Sequence, residues 1–63
     1  MSNETNPEMN EVVNELLEEG RKAAYAGKLA TANPYDINVE PICFGYWLAG
    51  FTEASYNLYI RDH

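Results

Sequence analysis

The chain predicts an all-α fold: two helices, about residues 7–30 and 41–60, joined by a proline-bounded connector and paired into a homodimeric helical assembly. Three observations carry this expectation. Apolar and small residues recur at three- and four-residue steps through the first half. Two prolines then bracket the run from Asn33 to Pro41, and an aromatic-rich helical pattern follows. Both halves set small residues beside large rings, in GRKAAYAGKLATANPY over 20–35 and YWLAGFTEA over 46–54. Small side chains at a contact shorten the distance between two helix axes.

Residues 1–5 are polar and expected to be disordered, leaving 6–63 as one helical domain. Asn6-Pro7 opens the first helix: Asn caps, and Pro at the first helical position loses nothing, because its missing N–H would be unpaired anyway. Glu8 falls in the first turn, where the helix dipole favours an anion. Met9, Val12, Val13, Leu16, Leu17, Gly20, Ala23, Ala24 and Gly27 then form one stripe that narrows from branched aliphatics to Gly and Ala. The helix is expected to reach about residue 30, ahead of Asn33-Pro34, because proline disfavours helix at the residue before it. Gly27 offers an earlier stop as a C-cap.

The connector, NPYDINVEP, is too short and polar for a domain linker. Asp36 or Asn38 suits a side-chain-capped turn. Tyr35, Ile37 and Val39 are expected to fold back on the helices, and a short strand at 37–39 would have nothing to pair with.

The second helix should start at Glu40-Pro41 with Cys43, Trp47, Gly50, Phe51, Ala54 and Leu58 as its main apolar stripe. Tyr46, Leu48, Ala49, Tyr56, Tyr59 and Ile60 lie on its other sides. A helix apolar over most of its circumference is normally buried over most of it. One neighbouring helix cannot do that. Self-association is the simplest resolution, with the N-terminal aliphatic stripe packing across a two-fold as one route. A tyrosine-rich surface for another protein is the rival. The packing and dimer positions are therefore Val13, Leu17, Gly20, Ala24, Gly27, Tyr46, Trp47, Gly50, Phe51, Ala54 and Leu58. Glycine inside a helix costs about 0.8–1.0 kcal/mol relative to alanine. Gly20, Gly27, Gly45 and Gly50 thus imply a compensating gain, read as room for the rings of Trp47 and Phe51.

Composition removes several function classes. At 63 residues the chain is one short domain, of a size that buries only about 60% of its unfolded surface and is marginal without a staple or partner. Cys43 is the only cysteine and His63 the only histidine, so no intramolecular disulfide and no cysteine-paired zinc site is expected. No cofactor or metal is implied. No stretch approaches the roughly 20 apolar residues that span a bilayer. Glu4, Glu8 and Glu11 stand where a signal peptide would carry basic and apolar residues. The expected location is the cytoplasm.

The net charge of -6 is uneven: residues 1–19 hold six glutamates and no Lys or Arg, while the rest balances. Glu8, Glu11, Glu15 and Glu18 share helical spacing and form an acidic ridge, read either as a solvated face or as a surface that imitates nucleic-acid phosphates. Arg21, Lys22 and Lys28, with Tyr35 nearby, form a modest basic patch able to touch RNA. Binding to nucleic acid is nevertheless disfavoured by the overall sign, since it depends on cations that release counterions. Gly20 and Gly27 beside Lys28 do not make a phosphate loop, which needs a preceding strand and a GxxxxGK[ST] run. Cys43 has no base at helical spacing to activate it. No catalytic residue is expected.

Aligned by its glycines, the chain resembles the ribosome modulation factor family. The residues that carry the resemblance are Gly20, Ala23, Ala26 and Gly27, then Pro34-Tyr35, then Trp47-Leu48, Gly50, Phe51, Glu53 and Ala54, over about 19–55. The resemblance implies two helices joined by a linker and a role in ribosome inactivation. The chain departs from the family in its acidic charge, its acidic first third and a longer connector between Tyr35 and Trp47. The function expected is a small non-enzymatic regulatory protein that occupies a surface of a larger host protein or ribonucleoprotein. The alternative is an acidic phage or mobile-element inhibitor of a host nuclease or defence complex.

Overall fold

A computed structural model describes the backbone of residues 7–61 and the side chains of residues 9–61. The expected disordered stretch 1–5, the Asn6 cap and His63 lie outside the described residues. Two helices, α1 (Pro7–Tyr25) and α2 (Pro41–Arg61), are joined through a single 3-10 turn, Ala30–Ala32. No strand occurs among the described residues.

The first helix stops earlier than about residue 30. Its terminus is a Schellman motif: the Lys28 N–H donates to the Ala23 carbonyl and the Gly27 N–H to the Ala24 carbonyl, each at 3.0 Å. Gly27 supplies the required left-handed backbone at φ 80. Without a Cβ it enters that region at no steric cost. Gly27 is therefore a cap and not a packing residue, since nothing lies within 4 Å of a Cβ built there.

The connector is held by three hydrogen bonds from two side chains, Asp36 and Asn33. Asp36 Oδ1 accepts the Asn38 N–H at 2.7 Å, giving the capped turn expected of this segment. Asn33 Oδ1 accepts the Tyr35 N–H at 3.0 Å while its Nδ2 donates to the Phe44 carbonyl at 3.2 Å, tying the connector to α2. Tyr35 turns inward as expected. Ile37 and Val39 do not: both are exposed, because the Asp36 turn spans residues 36–40 and points them outward. Pro41 opens α2 and the Glu40 carbonyl accepts its first helical bond, from the Phe44 N–H at 2.9 Å.

The two helices cross at a reciprocal pair of glycines. A Cβ on Gly20 would fall on the Trp47 carbonyl oxygen and lie 2.7 Å from the Phe51 nitrogen. One on Gly50 would fall on the Leu17 carbonyl oxygen and lie 2.8 Å from its carbon. Contacts that run from Gly20–Trp47 to Leu17–Gly50 make the pair antiparallel. The gain that offsets these two glycines is backbone-to-backbone approach and not room for the Trp47 and Phe51 rings, which stack on each other along α2 with centroids 5.4 Å apart. Gly45 has no such neighbour.

The core is small. Leu16, Ala24, Trp47 and Ala54 are its buried apolar side chains, with Trp47 only 2% exposed. Gly20 and Gly50 are buried beside them; Val13, Leu17, Ala23, Cys43, Phe51 and Leu58 are half-buried. Met9 and Val12, the start of the α1 stripe, remain exposed, as does Tyr46.

Candidate functional site

The glutamates of the ridge follow the helical spacing of α1 on the side away from Leu16, Gly20 and Ala24. Since those three face α2, the ridge forms the outer surface of the molecule. Glu11, Glu15 and Glu18 are all exposed there. Glu8 falls in the first turn, its side chain outside the described residues. Successive ridge residues stand about 5 Å apart along the axis, from a rise near 1.5 Å per residue. With Asn14, Glu19 and Lys22, Glu15 and Glu18 line an open groove on this face.

The basic patch does not assemble as one surface. Arg21 turns to the side and bridges the two helices: its Nε donates to Glu53 Oε1 at 3.1 Å and its Nη1 to Glu18 Oε1 at 3.4 Å. The bond to Glu53, more than the Glu18 contact, holds the guanidinium pKa above its ordinary value. Lys22 and Lys28 instead rim a groove floored by Ala23, Ala26, Pro34 and Trp47, with Glu19 at its edge. Tyr35 faces that edge, its hydroxyl donating to Glu19 Oε1 at 3.0 Å. That bond, with desolvation adding to it, raises the phenol pKa.

Two of the four residues picked for RNA contact are thus engaged within the chain, Arg21 with carboxylates and Tyr35 with Glu19. The partners Glu19 and Glu53 carry no signal in the sequence that would pair them with these groups. Glu53 lies 32 residues from Arg21, and the pairing exists only because Gly20 and Gly50 set the crossing. Neither Glu11 nor Glu15 has an ion-pair partner among the described residues.

Cys43 is free and half-buried on the inner side of α2. No group of three or more His, Cys, Asp or Glu among the described residues could hold a metal ion. No helix of the described residues is long and apolar enough to cross a membrane. No protein-family model matches the chain, and neither a curated protein nor a solved structure matches it.

Proposed function

We propose that the protein is a non-enzymatic binding protein of the cytoplasm that occupies a surface of a larger host machine, with the acidic outer face of α1 as its contact face and a basic protein surface as its target. The observation that carries this reading is the exposed row of carboxylates on the outer face of α1. Arg21 is engaged with Glu18 and Glu53, whereas Glu11 and Glu15 stand exposed in a row and form no ion pair among the described residues. A row of unpaired carboxylates on a rigid helix steers and orients a basic partner. It repels a phosphate backbone. An inhibitor that imitates nucleic acid, as a phage or mobile element would supply, fits this description.

Kinship with ribosome modulation factors is proposed for the scaffold. What supports it is that Gly20, Trp47 and Gly50, three of the residues that carry the resemblance, meet at the helix crossing. The ribosome is then one machine on which such a scaffold acts, reached through Lys22, Lys28 and Tyr35. Two experiments separate the targets. Replacing Glu11, Glu15 and Glu18 by Gln should leave the melting curve nearly unchanged and abolish capture of the host partner; unchanged capture refutes the acidic-face reading. Co-sedimentation with ribosomes at low and high salt tests the other target. Absence from every ribosomal fraction at low salt removes it.

A further inference from the structure

We infer that the back of α2 seats a second copy of this chain, the two helices crossing antiparallel about a two-fold axis at Ala49. The starting point is that α2 is apolar over most of its circumference but covered on one side only. Trp47, Gly50 and Ala54 face α1. On the opposite side Ile42, Gly45, Ala49, Tyr56 and Ile60 recur at helical spacing, with exposed Thr52 and Glu53 between Ala49 and Tyr56, and Pro41, Ile42, Gly45, Tyr46 and Ala49 line a shallow apolar groove. Ile42 is 71% exposed, Tyr56 63%, Ile60 48% and Tyr46 39%. A helix apolar over most of its circumference is normally buried over most of it.

Three features identify the occupant as this chain itself. The first is self-complementarity. Ile42 and Tyr56 each stand seven residues from Ala49, so a two-fold axis there sets Ile42 of one copy against Tyr56 of the other. The smallest side chain then sits at the crossing. An isologous interface requires such a match, since the same patch serves both partners. Gly45, with nothing within 4 Å of a built Cβ, lets the backbones come close beside the axis.

The second feature is area. A fully open Ile or Tyr presents on the order of 200 Å², so the exposed fractions of Ile42, Tyr46, Tyr56 and Ile60 leave roughly 440 Å² open per protomer. Pairing two copies removes up to about 880 Å² from these residues, against the ~1,000 Å² that a specific interface should clear. Pro41, Gly45 and Ala49 add to it.

The third feature is charge. Between Pro41 and Ile60 the only charged residue is Glu53, and Arg21 holds it. Two copies joined here keep their acidic ridges on the far sides of the pair. The dimer is independent of the docking reading, because the α1 ridge stays open in it.

The full chain tests this without any host partner. Sedimentation equilibrium at micromolar concentration should give twice 7.1 kDa, and the melting temperature should rise with protein concentration. A folded monomer throughout that range overturns the inference. The face is tested by cross-linking in a Cys43→Ser background. Ala49→Cys places two thiols beside the axis and should oxidise to a covalent dimer at least tenfold faster than Asn14→Cys, on the outer side of α1. Failure of Ala49→Cys to outpace Asn14→Cys overturns the assigned face. Helical circular dichroism of both variants confirms that each is folded when compared.

Discussion

Gly50→Ala puts the helix crossing to its most direct test. The added Cβ meets only backbone: it falls on the Leu17 carbonyl oxygen, 2.8 Å from the carbonyl carbon and 2.9 Å from Cα, against ordinary contact at 3.4–4 Å. No side chain can swing aside to admit it. The helices must part by roughly 1 Å, and a gap of 0.5–1 Å forfeits about a quarter to a half of each van der Waals contact it opens. Overpacking of this kind costs about 1–3 kcal/mol. Because this crossing holds nearly all the buried side chains, the upper end applies. Alanine returns about 0.8–1.0 kcal/mol in helix propensity, leaving a net loss near 2 kcal/mol. For a domain of this size that lowers the melting temperature by about 8–16 °C. Thermal unfolding followed by circular dichroism at one fixed protein concentration measures it. Gly20→Ala should behave alike, and the double variant should lose less than the sum, because the first substitution has already separated the helices. A Gly50→Ala protein as stable as the parent would show propensity alone at work and refute the close crossing.

Three further outcomes follow from the same geometry. Trp47→Ala removes the largest buried side chain and should cost about 3–5 kcal/mol, enough to abolish the cooperative melting transition; retained folding with lost binding would make Trp47 a contact residue instead. Gly27→Ala forces a Cβ into the left-handed region at φ 80 and should cost about 1–2 kcal/mol, with Gly27→Asn recovering part of it; an unchanged denaturation midpoint in urea would rule out the Schellman cap. The Tyr35 phenol is stabilised in its protonated form by Glu19, so its contribution to stability is complete below the ordinary tyrosine pKa of about 10 and disappears as pH rises through its own higher midpoint. Ring resonances of Tyr35 followed by NMR should therefore titrate late, and Glu19→Ala should bring the midpoint down; no change in that variant would break the assignment.

Local pattern was sufficient for the existence of both helices. Pro7 and Pro41 mark their starts, and nine residues at helical spacing need no tertiary help to be read as a helix. The Asp36 turn was legible for the same reason, since an Asx turn closes over two residues. Trp47, Gly50 and Ala54 were legible as core because they share one stripe with Cys43 and Leu58. The end of α1 was harder: Ala30 to Ala32 continue a helix-friendly composition, and the left-handed backbone at Gly27 is a choice between two stops that local sequence leaves nearly balanced.

The orientation of the glycines, and with it the candidate site, came from packing. Gly50 lies on the Trp47 stripe and Gly45 off it, but only the fold brings Gly50 onto the Leu17 backbone while Gly45 faces open space. Being apolar over most of its circumference, α2 carries a weaker periodic signal of its packed side than α1 does. Arg21 shows the consequence for function. As a sequence it joins Lys22 and Lys28 in a basic patch, and across the folded crossing it meets Glu53 and leaves that patch. Charge composition is a property of the chain, but which charges remain unpaired depends on groups brought together over 32 residues, and that is settled by how closely two glycines let the helices approach.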